Sequence, residues 1–401
     1  MPSDDKMSVD ERRKYLKLVM PRYTKARRVE RSALLTEMEA VTGLHRKSLL
    51  RLLHGPTLDR APKRPRLRRK RYGVTVAEVV WVVWESLDYV CAERLTPALV
   101  PTAHHLALWE ELVLTPEVEA ALRTISRATV QRLLQRFQQY TPKLPRRKPQ
   151  PPSGLLRRVP MERLSWTIAR PGSFEADLVH HCGTVTAGEY VHTLQLVDIA
   201  TGWSERVAVL GRGQEAMVEG FRRVQFRLPF SITHLHPDNG SEFFNNHLVR
   251  YFGEEVTGLR LSRSRPYRKN DNRFVEQKNA TLVRAYVGYE RLDTREQCAA
   301  LNALYDQLWV YYNLFQPVLH LVSKEMVGAK LRRRWDLAQT PYQRLLASGI
   351  LPPKQKARLA ALHAGTNPRQ LREAIYQAVE RLRRRPNSAN KAKREEPALS
   401  R

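Results

Sequence analysis

Three carboxylates stand in otherwise strand-like or helix-like surroundings: Asp177 in "SFEADLVHH", Asp238 in "THLHPDNGSEF" and Glu276 in "KNDNRFVEQKN". Asp177 falls inside a predicted strand, where a bare carboxylate is costly unless it is paired or holds a metal. Asp238 follows a second predicted strand. Asp-Asn-Gly is also a common turn sequence, because Asn and Gly tolerate the left-handed backbone. Glu276 starts a predicted helix whose buried side is marked by Val275, Leu282 and Tyr286. Between Asp177 and Asp238 lie 60 residues, and between Asp238 and Glu276 lie 37. Taken singly, each acid has a plain reading: a salt-bridged strand end, a turn residue, a solvated helix face. Taken as a set at the ends and middles of neighbouring elements, they make a hard-oxygen site suited to Mg2+ or Mn2+. Two such ions roughly 4 Å apart activate an attacking oxygen and stabilise a leaving one in phosphodiester chemistry.

The elements that must position these acids lie between about 160 and 320. "SFEADLVHHC" and "YVHTLQLVDIATGWSERVAVL" read as strands, with "TGW" turning between two of them. "GQEAMVEGFRRVQFRL" reads as a helix, "SITHLHPDNGSEF" as a strand, and "NNHLVRYFGEEV" and "NRFVEQKNATLVRAYV" as helices. Strand hairpins followed by strands alternating with helices predict an α/β or mixed sheet. Asp198 reads as a strand-end acid beside the site and not a ligand. Asn239, Gly240 and Glu242 shape the loop around Asp238, with Glu242 supporting from behind. Asn272 is placed to cap the Glu276 helix.

Composition narrows the partner. Lys plus Arg number 69 against 40 Asp plus Glu, a formal net charge of +29 over 401 residues. Such an excess biases the chain toward polyanions, nucleic acid first and an acidic membrane surface second. The longest apolar stretch, "VVWVVW" at 79 to 84, is far too short to span a bilayer, and the N-terminus has no signal-peptide pattern. Cys91, Cys182 and Cys298 are scattered, with no CxxC pair. "HHC" at 180 to 182 has no second ligand cluster at zinc spacing, so no structural zinc is expected. The expectation is a cytoplasmic protein that handles nucleic acid.

Ahead of the strands the chain is helical and basic. Residues 1 to 59 give "RSALLTEMEAVTGLHRKSLLRLL", a helix, a Thr42–Gly43 break and a second helix, the layout of a helix-turn-helix domain. In that reading Arg46, Lys47 and Arg51 face DNA, while Leu49, Leu50 and Leu53 pack inward. An ordinary helical hairpin with solvated basic positions fits the same residues. A basic linker follows at 60 to 73, in which Arg64, Arg66, Arg68, Arg69, Lys70 and Arg71 are candidates for phosphate contact. Residues 74 to 140 form a second helical block with helix-turn-helix rhythm, and Thr115–Pro116 signals a helix start. The Pro/Arg-rich stretch 141 to 159 is a semi-rigid spacer. Beyond the core, 326 to 385 reads as mainly helical, with a helix starting at Asn367–Pro368, and 386 to 401 as a disordered basic tail.

With these motifs in order, the stretch from about 160 to 325 resembles the catalytic core of retroviral integrases and of integrase-type DDE transposases of bacterial insertion sequences. "DNGSEF" looks like that family's second-acid motif, "RPYRKNDNRFVEQKN" its third-acid motif, "VDIATGW" its second strand, and "YYNLFQPVLHL" the stretch that closes its core. The resemblance implies a ribonuclease H-like fold with a mixed five-stranded sheet flanked by helices. It implies Asp177, Asp238 and Glu276 as catalytic ligands of two Mg2+ or Mn2+ ions. It also implies a bacterial, nucleoid-associated enzyme that cuts and joins double-stranded DNA at element ends, working as a homo-oligomer on DNA. Many insertion-sequence relatives carry a basic residue seven positions after the glutamate, where this chain has Val283; Lys278 or Arg284 is the substitute on offer. The retroviral His-His-Cys-Cys zinc unit has no counterpart before residue 140, which favours a transposase. The competing readings are an inert DNA-binding regulator on the same scaffold and a ribonuclease H-like nuclease.

Overall fold

The computed structural model describes residues 7–55, 72–137, 168, 170–237, 258–262, 272–327 and 330–388. The chain divides into two compact units, Met1–Arg71 and Tyr72–Arg401. Among the described residues no helix is long and apolar enough to cross a membrane.

The first unit contains α1 (Val9–Lys25), α2 (Arg28–Thr42) and α3 (Arg46–Leu53). Ser8 and Glu11 close a reciprocal capping box at the start of α1. Gly43 ends α2 in the left-handed conformation, with φ +65°, and lets the chain turn at once into α3. Leu16, Val19, Tyr23, Leu34, Leu35, Met38, Leu49 and Leu53 form one core. Each fully buried leucine contributes about 1.5–3 kcal/mol, against about 0–1 kcal/mol for an exposed pair such as Arg13–Asp10. Packing therefore holds this unit together.

In the second unit the chain forms α4 (Val74–Ser86), α5 (Ala92–Ala107), α6 (Pro116–Thr124) and α7 (Arg127–Phe137). The apolar run of α4 is buried on several sides because it serves several neighbours. Val79, Val80, Val83 and Trp84 share one cluster with Leu95, Leu122 and Val130, and also with Trp203, Trp309, Phe315, Tyr342 and Leu359. Tyr311 donates its hydroxyl to the Ser86 carbonyl at 2.7 Å, and Arg372 meets Asp88 at 3.0 Å. The block expected from sequence as a second DNA-reading domain is thus built into the body that carries the sheet.

That sheet has five strands in the order β3-β2-β1-β4-β5, the mixed arrangement flanked by helices that the resemblance implies. They are β1 (Ser173–His180), β2 (Val191–Asp198), β3 (Ser204–Leu210), β4 (His234–Pro237) and β5 (Arg260–Leu261). β1 is antiparallel to β2 and parallel to β4. Phe174, Ala176, Leu178, Leu194, Leu196, Val207 and Val209 pack against Met217, Phe221 and Val224 of α8 (Gln214–Arg227). Alternation sends Glu175 and Asp177 to the other face. There lies α9 (Arg273–Lys278), which runs on through a π-helical stretch, Asn279–Arg284, into α10 (Ala285–Val287). α11 (Arg295–Val310) and α14 (Pro368–Arg383) cover the rest of that face through Leu301, Leu304, Tyr305, Ile375 and Val379.

One element was not expected. Between the core and α12 (Pro341–Ala347) and α13 (Pro353–Ala364) stands an antiparallel hairpin, β6 (Leu321–Val327) and β7 (Lys330–Trp335). The region read as helical from 326 therefore begins with a strand. "KLRRRW" hides its strand character because basic residues fill both faces and erase the apolar alternation.

Candidate active site

Two side chains of β1 hold the helix that carries Glu276. Glu175 is completely buried, and its Oε2 accepts the backbone N–H groups of Phe274, at 2.7 Å, and Val275, at 3.0 Å. These are first-turn donors of α9, which have no partner within the helix. Asn272, expected from sequence to cap this helix, makes no side-chain cap hydrogen bond. The cap comes instead from a strand roughly a hundred positions away. The second tie is Asp177, whose Oδ2 accepts from Asn279 Nδ2 at 2.5 Å while its Oδ1 accepts from Leu178 N at 2.8 Å.

Glu276 sits between these two ties. It follows the capped residues directly, and Asn279 is three positions on, a neighbour on the helix surface. Glu276 is exposed and Asp177 half-buried. Burial pushes the Glu175 carboxyl up to about 8; the two backbone N–H groups pull against this, and the nearby Glu276 adds to it. Burial thus favours the uncharged form of the Glu175 carboxyl at neutral pH. Its Oε1 is buried without a hydrogen-bond partner among the described residues.

The third expected carboxylate, Asp238, lies outside the described residues, as do Asn239, Gly240 and Glu242. The strand leading to it does not. β4 pairs with β1 in parallel, and its last residue, Pro237, stands opposite Ala176. Among the described residues no three His, Cys, Asp or Glu side chains gather on one point.

Asp198 is elsewhere. It is fully buried opposite Phe174, on the other face of the sheet, and accepts from Gly172 N (2.8 Å), Thr201 N (2.9 Å) and Thr201 Oγ1 (2.6 Å). Burial lifts it to about 6 against those donors. It ties down the turn in which Gly202 adopts φ +73°. His181, from the "HHC" triplet, is buried with Nε2 2.8 Å from Thr193 Oγ1, and burial holds it uncharged.

The basic candidates separate in kind. Lys278 is half-buried with its ammonium 4.9 Å above the Tyr312 ring; burial, then Arg94 and Arg206, lower it to about 7. Arg284 donates to the carbonyls of His180 (2.7 Å) and Gly288 (3.1 Å) and lies over Tyr289. Val283 is fully buried, and the π turn, one residue longer than an α turn, brings Arg284 back to β1. In the first unit Arg46 bends back to α2, 2.6 Å from Ser32 Oγ and 3.2 Å from Thr36 Oγ1, whereas Lys47 and Arg51 are exposed. Arg64, Arg66, Arg68, Arg69, Lys70 and Arg71 lie outside the described residues.

Glu175 is the residue that sequence reading passed over. Its signal was present: two positions before Asp177, it shares that strand face, and a second acid on a buried face needs its own partner.

Over 340 residues the chain is 36% identical to the uncharacterized protein y4rM of Sinorhizobium fredii (strain NBRC 101917 / NGR234), a match covering 84% of this chain and 96% of that one. The chain belongs to the y4rM family. No family model matches it. Among solved structures, the catalytic core domain of BIV integrase aligns with 44% of this chain and 95% of its own, at a TM-score of 0.30 and 17% identity. A simian T-cell lymphotropic virus intasome, in complex with PP2A regulatory subunit B56 gamma, aligns with 32% of this chain and 43% of its own, at 0.25 and 16%. These likenesses are shallow, so the architecture of this y4rM relative rests on its own sheet order.

Proposed function

We propose that this chain is an integrase-type DDE transposase, which binds the ends of a DNA element and cuts and joins phosphodiester bonds there. The observation that carries the reading is the pair of ties from Glu175 and Asp177 to the helix of Glu276, which sets the half-buried Asp177 and the exposed Glu276 on one face of the sheet. The pairing of Pro237 with Ala176 supports it, since Asp177 and Asp238 are each the next residue along.

Asp177, Asp238 and Glu276 are the donors that would hold Mg2+ or Mn2+, and carboxylate oxygen is the ligand chemistry these cations prefer. Two such ions, when bound, supply charge stabilisation for the attacking and leaving oxygens of an in-line displacement. The chain's own part is preorganisation. Glu175 fixes the start of the helix, and Asn279 fixes the Asp177 carboxylate against it. Lys47 and Arg51, exposed on α3 four residues apart, are proposed to meet the phosphates of an element end. The α1–α3 unit is proposed to dock as a helix-turn-helix domain. Joining two ends requires more than one chain on the DNA.

The deciding experiment is strand transfer of a labelled element-end duplex in Mg2+, run with Asp177→Asn and Glu276→Gln beside the wild type. Both variants should bind the duplex and join nothing. Normal joining by either variant refutes the proposal.

A further inference from the structure

We propose that the β6–β7 hairpin is a DNA-binding arm that enters a groove of duplex DNA and presents arginines to phosphates on both walls. This rests on the reading of the chain as a DNA-acting enzyme and adds an element to it.

Among the described residues the two strands of the hairpin pair with each other and with no third strand. A ribbon without a third strand or a covering helix has little to bury and calls for a partner. Its side chains show what kind. Arg332, Arg333 and Arg334 are consecutive and all exposed. Alternation puts Arg332 and Arg334 on one face and Arg333 on the other, beside Trp335, which is 48% exposed. A ribbon charged on both faces suits neither face to an apolar protein surface, and a basic edge discourages addition of another strand. The major groove of B-form DNA, by contrast, admits a two-stranded ribbon between two rows of phosphates.

Several arginines in this unit are matched with acids: Arg223 and Arg227 with Asp306, Arg344 with Asp336, Arg369 with Glu85 and Glu111, Arg372 with Asp88. Arg332, Arg333 and Arg334 make no ion pair with a described residue. Across fifteen positions, 321 to 335, the sequence holds five basic residues and one acid.

The arm has a firm root. His320 N donates to Asp336 Oδ1 at 2.8 Å and Asp336 N to the His320 carbonyl at 3.0 Å. Arg344 clamps Asp336 and the Val318 carbonyl. The root is linked by a short chain of contacts to the helix that carries Glu276. The His320 ring lies against Gly202, whose carbonyl accepts from the Tyr312 hydroxyl, and Lys278, two residues after Glu276, sits over the Tyr312 ring.

The test is full-length protein titrated with a labelled duplex of arbitrary sequence, about three helical turns long, over a range of salt. Three chains are compared: wild type, Arg332→Ala/Arg333→Ala/Arg334→Ala, and the same three positions changed to Lys. A fourth, Arg381→Ala/Arg383→Ala/Arg384→Ala, removes the same charge from the exposed C-terminal end of α14 and the residue that follows it. Each phosphate contact adds about 0.9 to the salt slope. The arm variant should therefore lose roughly 2 to 3 from that slope and on the order of a hundredfold in affinity near 0.1 M salt. The Lys variant should keep the slope, and the α14 variant should stay near wild type. All four should melt alike, since the arginines are exposed. Unchanged binding by the arm variant overturns the arm and leaves the enzyme reading standing. Equal losses from the arm and α14 variants overturn it as well, as does a change of oligomeric state with DNA binding intact. Failure of wild type to bind DNA removes both proposals.

Discussion

Asn279 and Asp177 are joined side chain to side chain, Nδ2 to Oδ2 at 2.5 Å, across 102 positions of the chain. One end of that bond lies on a helix surface beside Glu276, and the other is a β1 carboxylate. The bond ties the helix that carries Glu276 to the β1 strand that carries Asp177. It leaves Glu276 exposed, so the arrangement is fixed by neighbours and not by filling the site.

The first prediction concerns fold against chemistry. In Asp177→Asn the new amide can still pair with Asn279, because the Asn279 Oδ1 is buried without a partner among the described residues and a flip presents it. Melting temperature should move little, while joining of end DNA in Mg2+ disappears. Asp198→Asn should behave in the opposite way. It loses an acceptor for Thr201 N and Oγ1 inside the core, so melting falls first and activity follows only as protein is lost. A stable, inactive Asp198→Asn would mean that Asp198 belongs to the site.

Glu175 should act through the helix it caps. Glu175→Gln keeps an acceptor for Phe274 N and Val275 N and should cost under about 1 kcal/mol. Glu175→Ala strands both buried donors and should cost roughly 2–4 kcal/mol, with joining reduced in the fraction that remains folded. Hydrogen exchange at Phe274 and Val275 separates this from a general loss of packing: it should rise in the Ala variant only. Equal protection in all three proteins would remove Glu175 from this role.

On α3 the basic residues should divide. Arg46→Ala should lower the melting temperature of the first unit by breaking its bonds to Ser32 and Thr36, worth about 1 kcal/mol together. Lys47→Ala and Arg51→Ala should leave melting unchanged and weaken binding of end DNA several-fold each. Loss of binding confined to Arg46→Ala would reverse the assignment.

His192 supplies a pH dependence. It is buried between Tyr190 and His180, with both ring nitrogens unpartnered among the described residues. Burial, then His180, lowers it to about 4 from the usual 6.5. Between those values the unfolded chain takes up a proton that the folded one refuses. The stability contributed by the neutral ring is therefore full above pH 6.5 and lost as pH falls toward 4. His192→Phe keeps the ring stacking and removes this loss. Its advantage over wild type should grow by roughly 1–3 kcal/mol between pH 7 and pH 4.5. Melting curves at both pH values check it, and an advantage that does not grow refutes it.

What the sequence by itself determined is what short-range physics controls. Gly43, Thr115–Pro116 and Asn367–Pro368 mark real helix ends, because caps act over a few residues. β-branched runs marked β1, β2 and β3, and spacing alone put Asp177 in a strand and Glu276 in the first turn of a helix. Tertiary structure decided who partners whom. Asn272 stands where a local cap is expected, yet Glu175 supplies it, since a buried carboxyl on a packed strand is the acceptor that the fold delivers. The block from 74 to 137 has the rhythm of a free domain, yet Trp84 and Val80 share a core with Trp309 and Phe315. Arg46 carries the same charge as Arg51, and only the approach of α2 gives it Ser32 to bind. "KLRRRW" became a strand because β6 offered a register for it. Caps and periodicity are written within one turn or one strand. A hydrogen bond across a hundred residues depends on which surfaces the whole chain can bury together.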